Sequence, residues 1–196
     1  WAGASFMHCA LISMNEGRYE DALDEINRSL SFGTFNHKAA AIKGVIECLL
    51  QNPTDADATM LAEVAADPFN FVCLYMQQCR QGAGWERLSQ LMHQSDCNYD
   101  DLALDLVEMG LEEEAVDVWK RSLQQGCASA MSLFHLSRYA GKEEAAQYYL
   151  MAETGSMGTF FPNRLEDIDT LLHHVRENQS ARAAYLLGNI YYDKRQ

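Results

Sequence analysis

The chain predicts an all-α fold, a stack of helical hairpins with about twelve helices, on three observations. Apolar residues recur at three- and four-residue spacing along most of the 196 positions, and only three prolines interrupt them. One stretch is repeated: Gly17 is followed by Ala22, Leu23, Ile26 and Leu30, Gly110 by Ala115, Val116, Trp119 and Leu123, and Gly141 by Ala145, Ala146, Tyr149 and Leu150. The 48% hydrophobic content is enough to bury a continuous core. A single hairpin cannot bury its own apolar face, so repetition means a solenoid in which each hairpin packs on its neighbours. The expectation is one array over residues 1–196, with a single non-helical loop at 154–162.

The first helix is expected from Gly3 to Asn15 and the second from Tyr19 to Ser31, closed by Gly33. His37 to Leu50 pairs with Asp55 to Ala66, for which Thr54 and Asp57 form a capping box while Pro53 stops the preceding helix. Asp67-Pro68 reads as a stop and a new start, giving a fifth helix from Phe69 to Arg80. Trp85 to His93 is a short helix after a Gly82-Ala83-Gly84 hinge. Asn98 caps Tyr99 to Met109; Glu112 to Gln125 follows and Gly126 ends it. Ala128 to Tyr139 and Lys142 to Glu153 make the fifth hairpin. The loop carries Phe160, Phe161 and Pro162, whose rings are expected to pack down over a seam. Asn163 and Glu166 cap a helix to Glu177, and Ser180 caps the last, to Arg195. That last helix reads as the first half of another hairpin, so strict pairing is expected to break at the loop. Its stripe of Tyr185, Leu187, Ile190 and Tyr191 would then lie open, as in a segment of a longer protein that docks on a neighbour or self-associates.

Gly44 and Pro68 stand eight and thirty-two residues into the second hairpin, 34 residues after the first, which is the tetratricopeptide period. Asp67-Pro68-Phe69, Leu102-Ala103-Leu104-Asp105, Phe161-Pro162-Asn163-Arg164-Leu165-Glu166, and Tyr185-Leu186-Leu187-Gly188-Asn189 with Tyr192-Asp193-Lys194-Arg195 extend the likeness. With these runs the chain resembles a bacterial family that joins a galactose-mutarotase-like β-sandwich to a C-terminal tetratricopeptide array. The resemblance implies a right-handed solenoid. It also implies that any sugar chemistry sits in the sandwich, so no catalytic residue carries over. It places Met7, His8, Leu11, Lys38, Ile42, Tyr75, Met76, Asp101, Met131, Arg138, Arg182, Tyr185 and Asn189 on the first helices, lining a concave groove for a partner. Core packing of the methionines is the competing reading. The lysine and asparagine pattern of relatives that clamp chaperone tails is not present, because Met7, Leu11 and Ile42 hold the comparable places.

The formal charge of -13 sets the chain against nucleic acid and anionic membranes. No apolar run approaches the roughly 20 residues a membrane-spanning helix needs. Six cysteines scattered through helical patterns favour reduced thiols and a cytoplasmic location. There is no Gly-rich phosphate loop, His-Glu-x-x-His, Cys-x-x-Cys or Gly-x-Ser-x-Gly, so no cofactor and no enzyme activity are expected. His93 and Cys97 are four apart but lack further ligands, so no metal site is expected. His173-His174 faces two directions on one helix. Asp100, Asp101, Asp105 and Glu108 read as a solvated acidic face, or as a receiver of a basic peptide. The sequons at Asn27 and Asn178 carry little without a secretory context. The expected function is a non-enzymatic scaffold binding a protein or peptide. The alternative is an accessory region of a carbohydrate-active protein, distinguishable by what the parent gene encodes upstream of Trp1.

Overall fold

A computed structural model of the chain describes residues 2–33, 36–82, 85–93, 95–155 and 162–194. Among them are twelve helices and no strand: α1 (Ala2–Asn15), α2 (Tyr19–Ser31), α3 (His37–Leu49), α4 (Pro53–Ala66), α5 (Phe71–Gln81), α6 (Glu86–Met92), α7 (Asp96–Glu108), α8 (Glu112–Gln124), α9 (Ala130–Tyr139), α10 (Lys142–Thr154), α11 (Leu165–Asn178) and α12 (Ala181–Asp193). The fold is thus all-α and built of helical hairpins, as the periodicity predicts. The chain divides into two compact units, residues 1–93 with 105–110 and residues 94–104 with 111–196.

Hairpin turns repeat one device. At Gly17 (φ +74°) the Arg18 N–H donates to Ser13 O at 2.8 Å, closing α1 in a Schellman motif. Thirty-four residues on, Gln51 (φ +56°) does the same for α3, with Asn52 N–H donating to Glu47 O at 3.0 Å. Helix starts repeat too: Asn36 caps α3 by accepting from Ala39 N–H, and Asn70 caps α5 by accepting from Cys73 N–H. Again the interval is 34 residues. Gly44 meets α4 closely: an added Cβ would sit 3.0 Å from Met60 Cγ, so the methionine side chain would have to shift by a few tenths of an ångström to admit it.

In the first unit α1 packs on α2, α3 on α4 and α5 on α6; α2 also packs on α3, α4 on α5, and the first helices α1, α3 and α5 touch in series. The core there is Ala10, Met14, Ala22, Ile26, Ile42, Val45, Ile46, Met60 and Leu88. In the second unit α9 packs on α10 and α8, α11 on α12, and α9 on α11. Its core centres on Trp119, Phe134, Leu136, Leu171 and Ile190.

Several sequence expectations are corrected. Pro53 opens α4 behind Asn52 instead of only blocking α3, because a proline N at the first helical position forgoes no bond; the Thr54–Asp57 box is displaced. Asn70, not Asp67, caps α5, since Asp67 Oδ1 already accepts from Phe69 N–H at 3.0 Å. Helix α9 starts at a Ser129–Ser132 capping box that the sequence reading passed over. At α11 the cap carboxylate is Asp167, which accepts from the N–H groups of Asn163 and Arg164. Helix α2 packs on α3, α4 on α5 and α8 on α9, whereas α10 makes no comparable packing on α11, which lies instead on α9 and α12. Phe160 and Phe161 lie outside the described residues, while Pro162 is buried.

Ala22 and Ala115 are both fully buried, as expected of close-contact positions. Replacing Ala115 by leucine should overpack this helix by about 1–3 kcal/mol; the change is read from the urea midpoint, and an unchanged midpoint would show slack at the site.

Candidate functional site

The thirteen predicted groove residues separate by depth. Leu11, Ile42, Tyr75, Met76 and Met131 are buried side chains of the helix core. A first helix packed on its pair and on the first helices beside it has little apolar surface left over. Met7 is half-buried, whereas His8, Asp101 and Tyr185 are exposed. The charged members are held by ion pairs or carbonyls. Lys38 Nζ lies 2.6 Å from Glu108 Oε2 and 3.5 Å from Asp105 Oδ1. Arg164 reaches Asp101 Oδ1 at 3.3 Å, and Arg138 reaches Asp169 Oδ2 at 2.8 Å and Thr170 Oγ1 at 3.2 Å. Arg182 donates to the carbonyls of Ala152 and Gly155, each at 2.7 Å. Asn189 is half-buried.

In the first unit the structure brings His8 and Leu11 together on an open cleft of about 440 Å³, lined also by Ile12, Asn15, Glu16 and Glu108. The spacing of His8, Leu11, Ile12 and Asn15 puts them on one face of α1. Leu11 forms the floor, being 5% exposed, and Ile12 stands at the mouth with 57% of its surface open. Asn15 shapes one wall: its Nδ2 donates to Leu11 O at 2.9 Å and to Glu108 O at 3.0 Å. Glu16 pairs with Arg18 at 2.6 Å and Glu108 with Lys38 at 2.6 Å. The unit has six Lys and Arg against thirteen Asp and Glu, leaving it strongly acidic.

The second unit holds a buried polar chain. Asp100 is 2% exposed; its Oδ1 accepts from Trp119 Nε1–H at 2.9 Å and from Ser132 at 2.7 Å, and its Oδ2 from Ser129 at 3.1 Å. Asp100 is therefore no part of a solvated acidic face: three donors draw it inward, and burial pushes its carboxyl up to about 6. The His135 ring stacks on Trp119, centroids 4.9 Å apart and planes 5° from parallel. His135 Nε2 lies 3.0 Å from Asp167 Oδ1, and its Nδ1 3.1 Å from Thr170 Oγ1. Serine, histidine and aspartate occur together here, yet both serine hydroxyls face Asp100 and His135 is fully buried. Nothing in this set is presented to a substrate.

His174 is buried and His173 exposed. His174 Nε2 meets Phe134 O at 2.9 Å, and burial holds its imidazole below the ordinary value. With Tyr149, Lys142 and Glu177 the two histidines line a second cleft, of about 420 Å³. Tyr185 and Tyr192 of α12 are 57% and 88% exposed. All six cysteines are free thiols. His93 is the left-handed residue that ends α6, and Cys97 lies in the first turn of α7, so their four-residue spacing is not helical. No described helix is long and apolar enough to cross a membrane.

Sequence reading missed the polar chain, for which the only signal is hydroxyls at Ser129 and Ser132 inside an apolar run. It also missed the convergence of His37, Glu63 and Asp67, whose ligand atoms lie within 4.8 Å of one another. The four-residue spacing of Glu63 and Asp67 was visible; His37 arrives from another helix. The chain matches no protein-family model and no curated protein.

Proposed function

We propose that the chain is a non-enzymatic scaffold that binds a protein or peptide segment, and that the α1 cleft receives an apolar side chain of a segment carrying net positive charge. The observation that carries this reading is Ile12, left 57% exposed above a cleft whose floor is Leu11 and whose rim includes Glu16 and Glu108. An exposed branched apolar residue over a preformed depression is the arrangement in which an anchor side chain excludes water on binding. The surplus of carboxylates over cations in the same unit favours a basic frame around that anchor. A scaffold is favoured over an enzyme because the polar constellation best equipped for chemistry is buried and already saturated with internal bonds.

The test uses labelled helical peptides with isoleucine or leucine anchors on a lysine-rich frame, an acidic frame of equal apolarity, and a lysine-rich frame without anchors. Fluorescence anisotropy should rank the first above the other two, with affinity falling as salt brings the Debye length below about 8 Å. Ile12→Ser should weaken the first peptide about tenfold, roughly 1.4 kcal/mol, while leaving the melting temperature unchanged. Equal binding of basic and acidic frames, or no effect of I12S, would remove this surface from consideration.

A further inference from the structure

In the first unit three potential metal ligands converge from two helices and a helix end. His37 opens α3, Glu63 lies in the last turn of α4, and Asp67 is the residue that ends α4. His37 Nδ1 and Glu63 Oε1 are 2.7 Å apart, and the ligand atoms of all three residues lie within 4.8 Å of one another. Asp67 Oδ1 accepts from Phe69 N–H, which steadies the carboxylate at the helix end. Glu63 is 7% exposed, whereas the His37 side chain is 41% exposed, so the cluster is rooted in the core and open to solvent on one side.

Asn70 locks the ligands in place. Its Nδ2 donates to Glu63 Oε1 at 3.0 Å and to His37 O at 3.3 Å, while its Oδ1 caps α5 through Cys73 N–H. A carboxylate ligand oriented by an outer amide is the usual support of a built metal site. Two carboxylates and an imidazole within reach of one another make a mixed oxygen and nitrogen donor set that a divalent cation can share. Three side-chain donors including an imidazole are too few and too nitrogenous for calcium, which takes six to eight oxygens. They suit a transition-metal dication with solvent completing the shell.

We propose that His37 Nδ1, Glu63 and Asp67 form a binding site for a divalent transition-metal cation, with zinc as its representative. Ligand contacts of about 2.0–2.2 Å require the donor atoms to close on a common centre, a side-chain adjustment that leaves the helices where they are. Binding ties the start of α3 to the end of α4.

The experiment titrates zinc into metal-free full-length protein against a chromophoric chelator, with cobalt as a spectroscopic substitute. One saturable equivalent is expected, with visible cobalt bands, no thiolate-to-cobalt charge-transfer band, and a melting temperature that climbs with free zinc. His37→Gln and Asp67→Asn should each weaken the site by more than about tenfold, the scale on which even an outer-shell partner acts. Asp67 is half-buried at a helix end, so D67N reports on the site even if H37Q proves unstable. Absence of saturable binding, a thiolate charge-transfer band, or an affinity unchanged in D67N would overturn the assignment.

Discussion

Replacing Asp100 by alanine should remove about 3 kcal/mol of stability, because it leaves the Trp119 N–H and the Ser129 and Ser132 hydroxyls facing a void with no acceptor. Each buried donor left unmade costs about 1–3 kcal/mol, and the two serines, 3.1 Å apart, recover part of it by bonding each other. Asp100→Asn keeps an acceptor and should lose less. It also isolates a pH effect. Burial raises the folded carboxyl from its ordinary 3.8 to about 6, against the pull of His135, Ser132 and Ser129, while Asp167 reinforces the rise. The folded protein therefore binds a proton that the unfolded chain does not. The stability gained is fully present below about 3.8 and is lost as pH rises through about 6. His174 works the opposite way: its folded value is held below the ordinary 6.5, so it withdraws stability as pH falls through that lower value. Urea unfolding of wild type and D100N between about pH 4 and pH 7 should show wild type gaining roughly 2 kcal/mol on the variant toward acid. A pH-independent difference would mean that Asp100 is ionised throughout.

Trp119→Ala should be more damaging still, at about 3–5 kcal/mol. The indole is fully buried, stacked on His135 at 4.9 Å and on Tyr139 at 5.8 Å, and it supplies one of the three donors to Asp100. For a chain of this size the loss corresponds to roughly 10 °C in melting temperature, measurable by calorimetry. Trp119→Phe separates the two contributions, since it keeps a ring against His135 and deletes only the N–H. Because the N–H and Asp100 share one bond, W119F and D100N together should cost less than the sum of the two alone. Strict additivity would place the stabilisation in stacking and not in the hydrogen bond.

What the sequence discloses and what it withholds divide along a physical line. Local backbone chemistry was legible: Gly17 and Gly110 adopt positive φ at their turns, Ser180 caps α12 by accepting from Ala183 N–H, and Ala22 and Ala115 lie where helices cross. Features that depend on partners far along the chain were not. Helical periodicity puts Leu11, Ile42 and Met131 each on an apolar stripe of its own helix, but does not show that neighbouring helices cover those stripes. The partners of Lys38, 67 and 70 residues away, and the inward turn of Asp100 toward a tryptophan nineteen residues on, leave no local trace. The place of α12 within a hairpin is equally hard to read locally, because either helix of a hairpin can present tyrosines at the same spacing.

Asp167 uses both oxygens for different ends. One accepts the two N–H groups at the start of α11, and the other holds the His135 imidazole inside α9. Helix ends ordinarily fray alone, in openings that leave the rest of a domain untouched. Here α11 cannot unwind from its start without releasing the carboxylate that His135 faces in the core. Amide protons in the first turn of α11 and in the middle of α9 should therefore exchange through a common opening, so that a nominally local helix end opens together with the core.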